Sequence, residues 1–306
     1  MAISRHQLVK ELEPGLNALF GLEYKRYDNQ HAEIYTNESS DRAFEEEVML
    51  SGFGNASVKS EGSGVAFDNA QESFSARYTH ETVALAFAIT EEAIEDNLYD
   101  KISSRYTKAL ARSMSNAKEV KGAAPLNNGL PAIAAGTAFQ TGDGQNLFST
   151  AHPTIAGTVS NTLTTQADLN ETSLEQSLID IAAMTDERGL RIAAKGVKMI
   201  IPSANQFNAE RLMKSQGRTQ TADNDINAIN SMGMIPQGYR VNNFLTDPDS
   251  FYIVTDVPNG MKMFTRAPLT TAMEGDFDTG NVRYKARERY SFGVSDFRGI
   301  FGVEGA

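Results

Sequence analysis

The sequence predicts an α+β protein, and three observations carry that prediction. Two strand-like runs, Phe74–Tyr78 and Thr82–Ile89, follow a glycine-rich segment in the first third of the chain. One helical pattern then continues from Thr90 to Lys121, far beyond the usual ~11–12 residues. Several short strands and one long one, Asn281–Val294, return near the C-terminus, so strands and helices are grouped instead of alternating as βαβ units.

Bulk properties bound the function. A chain of 306 residues with 41% hydrophobic content can bury a large core. The longest apolar run, Val83–Ile89, is far below the ~20 residues that cross a bilayer, and residues 1–15 carry no hydrophobic signal core, so no membrane partner is expected. Without cysteine there is neither a disulfide nor a thiolate metal site, which suits a reducing cytoplasm. The formal net charge of -11 argues against a general nucleic-acid binder, which needs a basic surface, and favours solubility at high concentration.

Along the chain, Gln7–Phe20 reads as a helix interrupted by Pro14-Gly15, and EIYTNES, from Glu33, as extended. The acidic patch Glu45-Glu46-Glu47 follows. Residues 55–68, NASVKSEGSGVAFD, have two glycines and little bulk, and predict the exposed tip of a long hairpin closed by Phe74–Tyr78 and Thr82–Ile89. Thr90 can cap the long helix, with Glu91 and Glu92 at the positive end of its dipole. Ile94, Leu98, Ile102, Tyr106, Leu110 and Met114 mark its apolar face, and Gly122 with Pro125 marks its end. At about 1.5 Å per residue the rod is roughly 46 Å long.

Residues 122–170 read as loops and short strands. Thr172–Glu175 predicts a capping box for a helix that Gly189 closes. Lys198–Ile201 is a short buried strand and Asn205–Ser215 an amphipathic helix, followed by a polar stretch over 217–225. The remaining strands are Tyr239–Leu245, Phe251–Thr255, Met261–Thr265 and Asn281–Val294.

No catalytic or metal-binding residues emerge. The four histidines, His6, His31, His80 and His152, are scattered without ligand spacing. Asp223/Asp225 and Asp247/Asp249 do not continue into a calcium loop. Ser115-Asn-Ala-Lys118 matches SxxK without its partner motifs. The feature with shape is RYKARERYSFGVSD, where Arg283, Lys285, Arg287 and Arg289 occupy alternate positions and therefore share one face of a strand. Such a row suits a solvated face, the acids of another segment or subunit (with Glu45, Glu46 and Glu47 as candidates), or, less well on a net-negative chain, DNA.

Several stretches, in this order and spacing, resemble the major capsid proteins of tailed bacteriophages with the Hong Kong 97-type fold, the phage Mu-like major head subunits above all. They are FGNASVKSEGSGVAFDNAQESFSARYTH, then VALAFAIT with EEAIEDNLYDKISSRYTKALARS, NLFSTAHPTIAG, IIPSANQFNAERLMKS and VRYKARERYSFGVSDFRGIFG, covering roughly residues 30–303. The resemblance implies an N-terminal arm at 1–35 and an extended E-loop hairpin with flanking strands at 36–89. It further implies the spine helix of a peripheral domain at 90–125, an axial domain at 126–260 and returning peripheral strands at 261–306.

The function implied is structural, without cofactor or catalysis. The chain would associate with itself as pentamers and hexamers of a shell around double-stranded DNA held only non-specifically. Portal, scaffolding and decoration proteins would be its other partners, in a virion assembled in the host cytoplasm. Because only residues 1–35 precede the E-loop, a separate scaffolding protein is expected. Some relatives cross-link Lys to Asn; Lys59 near the hairpin tip and Asn281 are the matching types, and two such residues alone do not predict the bond. The alternatives are an encapsulin-like nanocompartment shell and, remotely, a cytoplasmic hydrolase.

Overall fold

The computed structural model describes residues 5–90, 92, 99–133, 137–217, 225–276 and 280–305. Ile94, Leu98 and most of the polar stretch 217–225 lie outside them. Helix α1 (Arg5–Tyr24) runs through Pro14 and is followed by a short 3-10 turn, Gln30–Glu33. Strand β1 (Thr36–Ser39) leads to β2 (Phe44–Leu50), β3 (Glu72–Thr79) and β4 (Glu81–Ile89), then to the long helix α2 (Tyr99–Asn127). A small ribbon of β5 (His152–Thr154) and β6 (Gly157–Val159), helix α3 (Glu171–Ala183), β7 (Gly196–Ile201), helices α4 (Gln206–Lys214) and α5 (Ala228–Met232), and β8 (Tyr239–Val241) come next. The chain closes with β9 (Phe251–Thr255), β10 (Met261–Gly275), β11 (Val282–Val294) and β12 (Ile300–Val303).

Two four-stranded sheets organise the molecule. The first has the order β1-β10-β11-β4, with β1 parallel to β10 and the other pairs antiparallel. Alternation along β11 directs Val282, Tyr284, Ala286, Glu288 and Tyr290 inward and the four cations outward. Leu16 and Phe20 of α1, and Leu110, Ala111 and Met114 of α2, pack with Tyr284 and Ala286 into one apolar cluster. The second sheet, β12-β9-β7-β8, forms the other main core with α3 and α4, through residues such as Leu174, Ile181, Leu212 and Ile253.

Several expectations need correction. The hairpin is formed by β2 with β3, in register from Phe44 opposite Thr79, whereas β4 leaves it and pairs with β11 along its whole length. Alternation marks strands but does not choose their neighbours; here buried His80, between Ser40 and Ser291 at 3.0 Å each, pins the crossing from hairpin to sheet. On α2, Tyr106 is exposed, while Ser103, Thr107, Leu110 and Met114 face inward. Steps of four residues advance by about 400°, so an i+4 series leaves the buried stripe within a few turns.

Helix α2 also passes the expected stop and ends at Asn127. Gly122 lies so close to the 3-10 turn that an added Cβ would sit 2.8 Å from His31 Cβ, and the Tyr35 hydroxyl donates to the Gly122 carbonyl at 2.7 Å. Tertiary contact thus holds a last turn that local signals would end. The cap of α3 is Asn170 with Ser173, two residues before the predicted box, and α3 ends ahead of Gly189. Strand β10 extends ten residues past Thr265, to Gly275. Its register shifts between Thr265 and Thr270, and that irregularity accommodates Pro268.

Candidate assembly surfaces

The cationic row exists as a surface. Arg283, Lys285 and Arg287 are exposed and Arg289 is half-buried. In register beside them stand Ala88, Ala86, Ala84 and Thr82 of β4, and Glu274, Ala272, Thr270 and Ala267 of β10. The cations therefore rise from a floor of mostly small side chains. Arg283 meets Asp276 at 2.5 Å. Among the described residues no acid is ion-paired to Lys285, Arg287 or Arg289.

The second surface is the β2–β3 hairpin with its 51–71 connection. Val58 and Phe67 are each 98% exposed, and Phe44, Val48, Leu50 and Phe53 are exposed on or near β2. Lys59 lies exposed between Val58 and the glycines of the tip. The apolar bulk of the tip faces outward, a costly arrangement for an isolated subunit.

The root of the hairpin, by contrast, is locked down. Lys262 of β10 is almost fully buried and meets Glu47 at 2.5 Å and Glu38 at 3.1 Å. Burial alone pulls the Lys262 ammonium down, yet the hydrogen bonds and charges of Glu47 and Glu38 outweigh it and hold it above the ordinary lysine range. Ser295 bonds both Glu47 and, at 2.5 Å, the Tyr78 hydroxyl. The Tyr78 ring lies over Gly293, where a Cβ would approach within 2.5 Å, and edge-on to Phe264 at 4.8 Å. A rigid base thus carries an unpacked tip.

The acidic patch is divided by the strand's alternation. Glu47 is engaged at the root, Glu45 accepts from Ser40 Oγ at 2.7 Å, and Glu46 lies on the outer face, 3.7 Å from Arg77. None of the three is ion-paired to the cationic row of the same chain, although Glu45 and Arg289 both act on His80.

Buried polar groups that sequence reasoning missed are structural ties. Arg298 is enclosed by Glu187 at 2.7 Å and Asp296 at 3.2 Å. His152 bonds Asp143 at 2.6 Å through Nδ1 and Asn161 at 3.1 Å through Nε2, and stacks on Phe297. With both ring nitrogens occupied, His152 activates no nucleophile. Ser115 faces inward on α2 and Lys118 meets buried Glu288 at 3.2 Å, so the SxxK residues serve packing. Burial pushes the Glu288 carboxyl above its usual range despite Lys118. A signal for these ties was present only as polar residues within apolar stretches, which does not identify their partners.

Among the described residues no group of three or more His, Asp or Glu side chains is placed to hold a metal ion, and no helix is long and apolar enough to cross a membrane. A cleft of about 650 Å³ between the hairpin root and the second sheet is lined by Glu47, Asp186, Asp256 and Asp296 and brings no histidine to these acids.

The architecture is shared with capsid subunits. The capsid of Myoviridae phage XM1 superposes with a TM-score of 0.54 at 12% identity, over 89% of each chain. The capsid of an empty GTA particle gives 0.53 at 15% identity, over 91% of this chain and 90% of that one. A structure from Microbacterium phage Oxtober96 gives 0.50 at 9% identity, over 92% of each. At such identities the likeness establishes a common fold, that of the Hong Kong 97-type capsid proteins. No curated protein matches the sequence. A family model does: residues 73–303, from the hairpin's second strand to the last strand of the chain, match the family described as phage capsid protein. The chain belongs to the phage capsid protein family, as a structural major capsid protein.

Proposed function

We propose that this subunit builds an icosahedral head from copies of itself, as pentamers and hexamers, around packaged double-stranded DNA. Family membership supports the shell, and the hairpin supports the way it is built. A locked root holding Val58 and Phe67 in solvent is a subunit prepared to bury that tip on a neighbour. The same proposal assigns the arm to 1–35, the E-loop hairpin with its flanking strands to 36–89, the spine to 90–125, the axial domain to 126–260 and the returning peripheral strands to 261–306, and it keeps the Mu-like branch. Arg283, Lys285, Arg287 and Arg289 then serve contacts between subunits, with Glu46 as the acid of the patch left on the surface. The net charge of -11 suits a container whose walls do not grip a polyanion. Portal, scaffolding and decoration partners and host-cytoplasmic assembly belong to this reading. A nanocompartment shell would share the fold but hold protein cargo, and no feature of the chain favours it.

Removal of Val58–Phe67 tests the proposal. The truncated subunit is expected to stay folded, because that segment lies outside the apolar clusters, and to lose assembly. Normal shells from the truncated chain would refute it.

A further inference from the structure

The hairpin tip is fastened to its own subunit at its neck. Asp68 closes that neck, accepting from the Gly54 amide at 2.7 Å and the Asn69 amide at 2.8 Å, so residues 55–67 leave and return beside one carboxylate. Arg188 then ties the neck down. Its Nη2 donates to the Asn69 carbonyl at 2.5 Å and stands 3.7 Å from Asp68 Oδ1. Among the described residues this is the hydrogen bond that joins the 51–71 connection to the rest of the chain. Arg188 is presented by a firm turn: Asp186 Oδ1 accepts from the Arg188 and Leu190 amides at 2.9 and 2.8 Å, and Gly189 supplies a φ of 82°. The preceding residue, Glu187, is held by Arg298 and accepts from Ser73 Oγ at 3.1 Å.

This fastening is built to be given up. The Arg188 and Asp68 side chains are 23% and 47% exposed, where ion pairs are weak, and Arg188 Nε is buried with no hydrogen-bond partner. The Gly54 and Asn69 amides hold the Asp68 carboxyl below its ordinary range, with Arg188 the smaller influence, so the neck outlasts loss of the arginine. A pivot lies between this neck and the locked root. The β2–β3 register shifts between Val48 and Leu50, and Gly52 follows at a φ of 62°. Beside the pivot is the cleft of about 650 Å³, with Val48–Gly52 on one wall and Asp186, Ile192 and Asp256 on the other. The outer hairpin therefore has a hinge, room to turn and a single clasp.

We propose that Arg188 is an autoinhibitory clasp: it holds the outer hairpin, residues 50–72, against its own subunit, and assembly requires its release. The proposal rests on the shell reading and adds to it an internal restraint on when the tip becomes available. A subunit that is mostly clasped assembles as though its competent fraction were small, and removal of the clasp lifts that restraint.

The absence of native cysteine makes distance measurement direct. Spin labels at Glu61→Cys on the tip and Gln176→Cys on α3, both exposed positions, report the tip's place relative to the second sheet. In the unassembled subunit one narrow distance is expected, and Arg188→Ala is expected to broaden it at least twofold. Without labels, Arg188→Ala is expected to keep the wild-type melting transition and to assemble about three- to tenfold faster by light scattering. Labelled chains diluted into unlabelled wild-type particles are expected to show a distance different from that of the subunit, a readout that needs no change at Arg188. An unchanged distance in particles would overturn the proposal and leave the shell reading standing. So would a folded Arg188→Ala subunit with the wild-type distance or with assembly no faster than wild type. Absence of any particle from the wild-type chain would overturn the shell reading, and this proposal with it.

Discussion

Glu47→Gln isolates the contact that keeps the hairpin root rigid. The substitution preserves size and removes one charge. It converts a charge-assisted bond to Lys262 into a neutral one, where such bonds contribute about 1.5–3 kcal/mol. Lys262 is almost fully buried, and orphaning a buried charge costs roughly 3–5 kcal/mol. Glu38 remains 3.1 Å away, so the ammonium is not orphaned and the loss falls at the lower range, about 1–3 kcal/mol. Because the contact joins β2 to β10, the loss should appear as local opening of the hairpin with the second sheet unaffected. Amide exchange in β2 and β3 of the subunit is expected to accelerate by about ten- to a hundred-fold, at about 1.4 kcal/mol per factor of ten. Unchanged exchange there would refute the claim that Glu47–Lys262 holds the root. Uniform acceleration across both sheets would refute its local character.

Leu110→Asp buries a carboxylate in the cluster of α1, α2 and β11 and is expected to prevent folding, seen as insoluble or unfolded protein; a soluble, cooperatively melting mutant would contradict the placement of that helix face. Glu288, raised by burial, predicts a pH dependence for the packing of α1 and α2 on the sheet. A carboxyl whose folded pKa lies above its unfolded value favours the folded state most below the unfolded value. That contribution declines as pH rises through the folded one, so stability should fall in this window, and Glu288→Gln should flatten the slope in denaturant titrations across pH. Lys285→Glu with Arg287→Glu changes two exposed side chains, so subunit stability should move by less than about 0.5 kcal/mol. Each interface would lose two attractions of ~0.2–1 kcal/mol and gain repulsions of similar size, so light scattering should show assembly lost or strongly salt-dependent. Assembly at wild-type rate and salt response would remove the cationic row from the interfaces.

The parts of the fold legible in the sequence are those set by local periodicity. The alternation of Arg283–Arg289 gave the cationic face because each outward cation is separated by an inward Tyr, Ala or Glu. The same period marked β4 but could not reveal that its partner is β11, since pairing is decided by contacts such as His80 with Ser40 and Ser291, far apart in sequence. Helix α2 was legible as a rod, yet its end was not, because Gly122 is a contact for His31 and Tyr35 as well as a local stop signal. Of the surfaces, the exposed tip was readable from its glycines and low bulk. The root lock was not, because Lys262 sits in an apolar run where only its meeting with Glu47 and Glu38 gives it a purpose.

The central claim is that this chain is the repeating unit of a closed shell. Mass measurement of the purified full-length chain, by sedimentation together with negative-stain imaging and with its scaffolding partner supplied if assembly requires one, tests that most directly. The account predicts megadalton particles of uniform diameter with pentameric and hexameric clusters on their surface. A small, discrete oligomer under every such condition would contradict it.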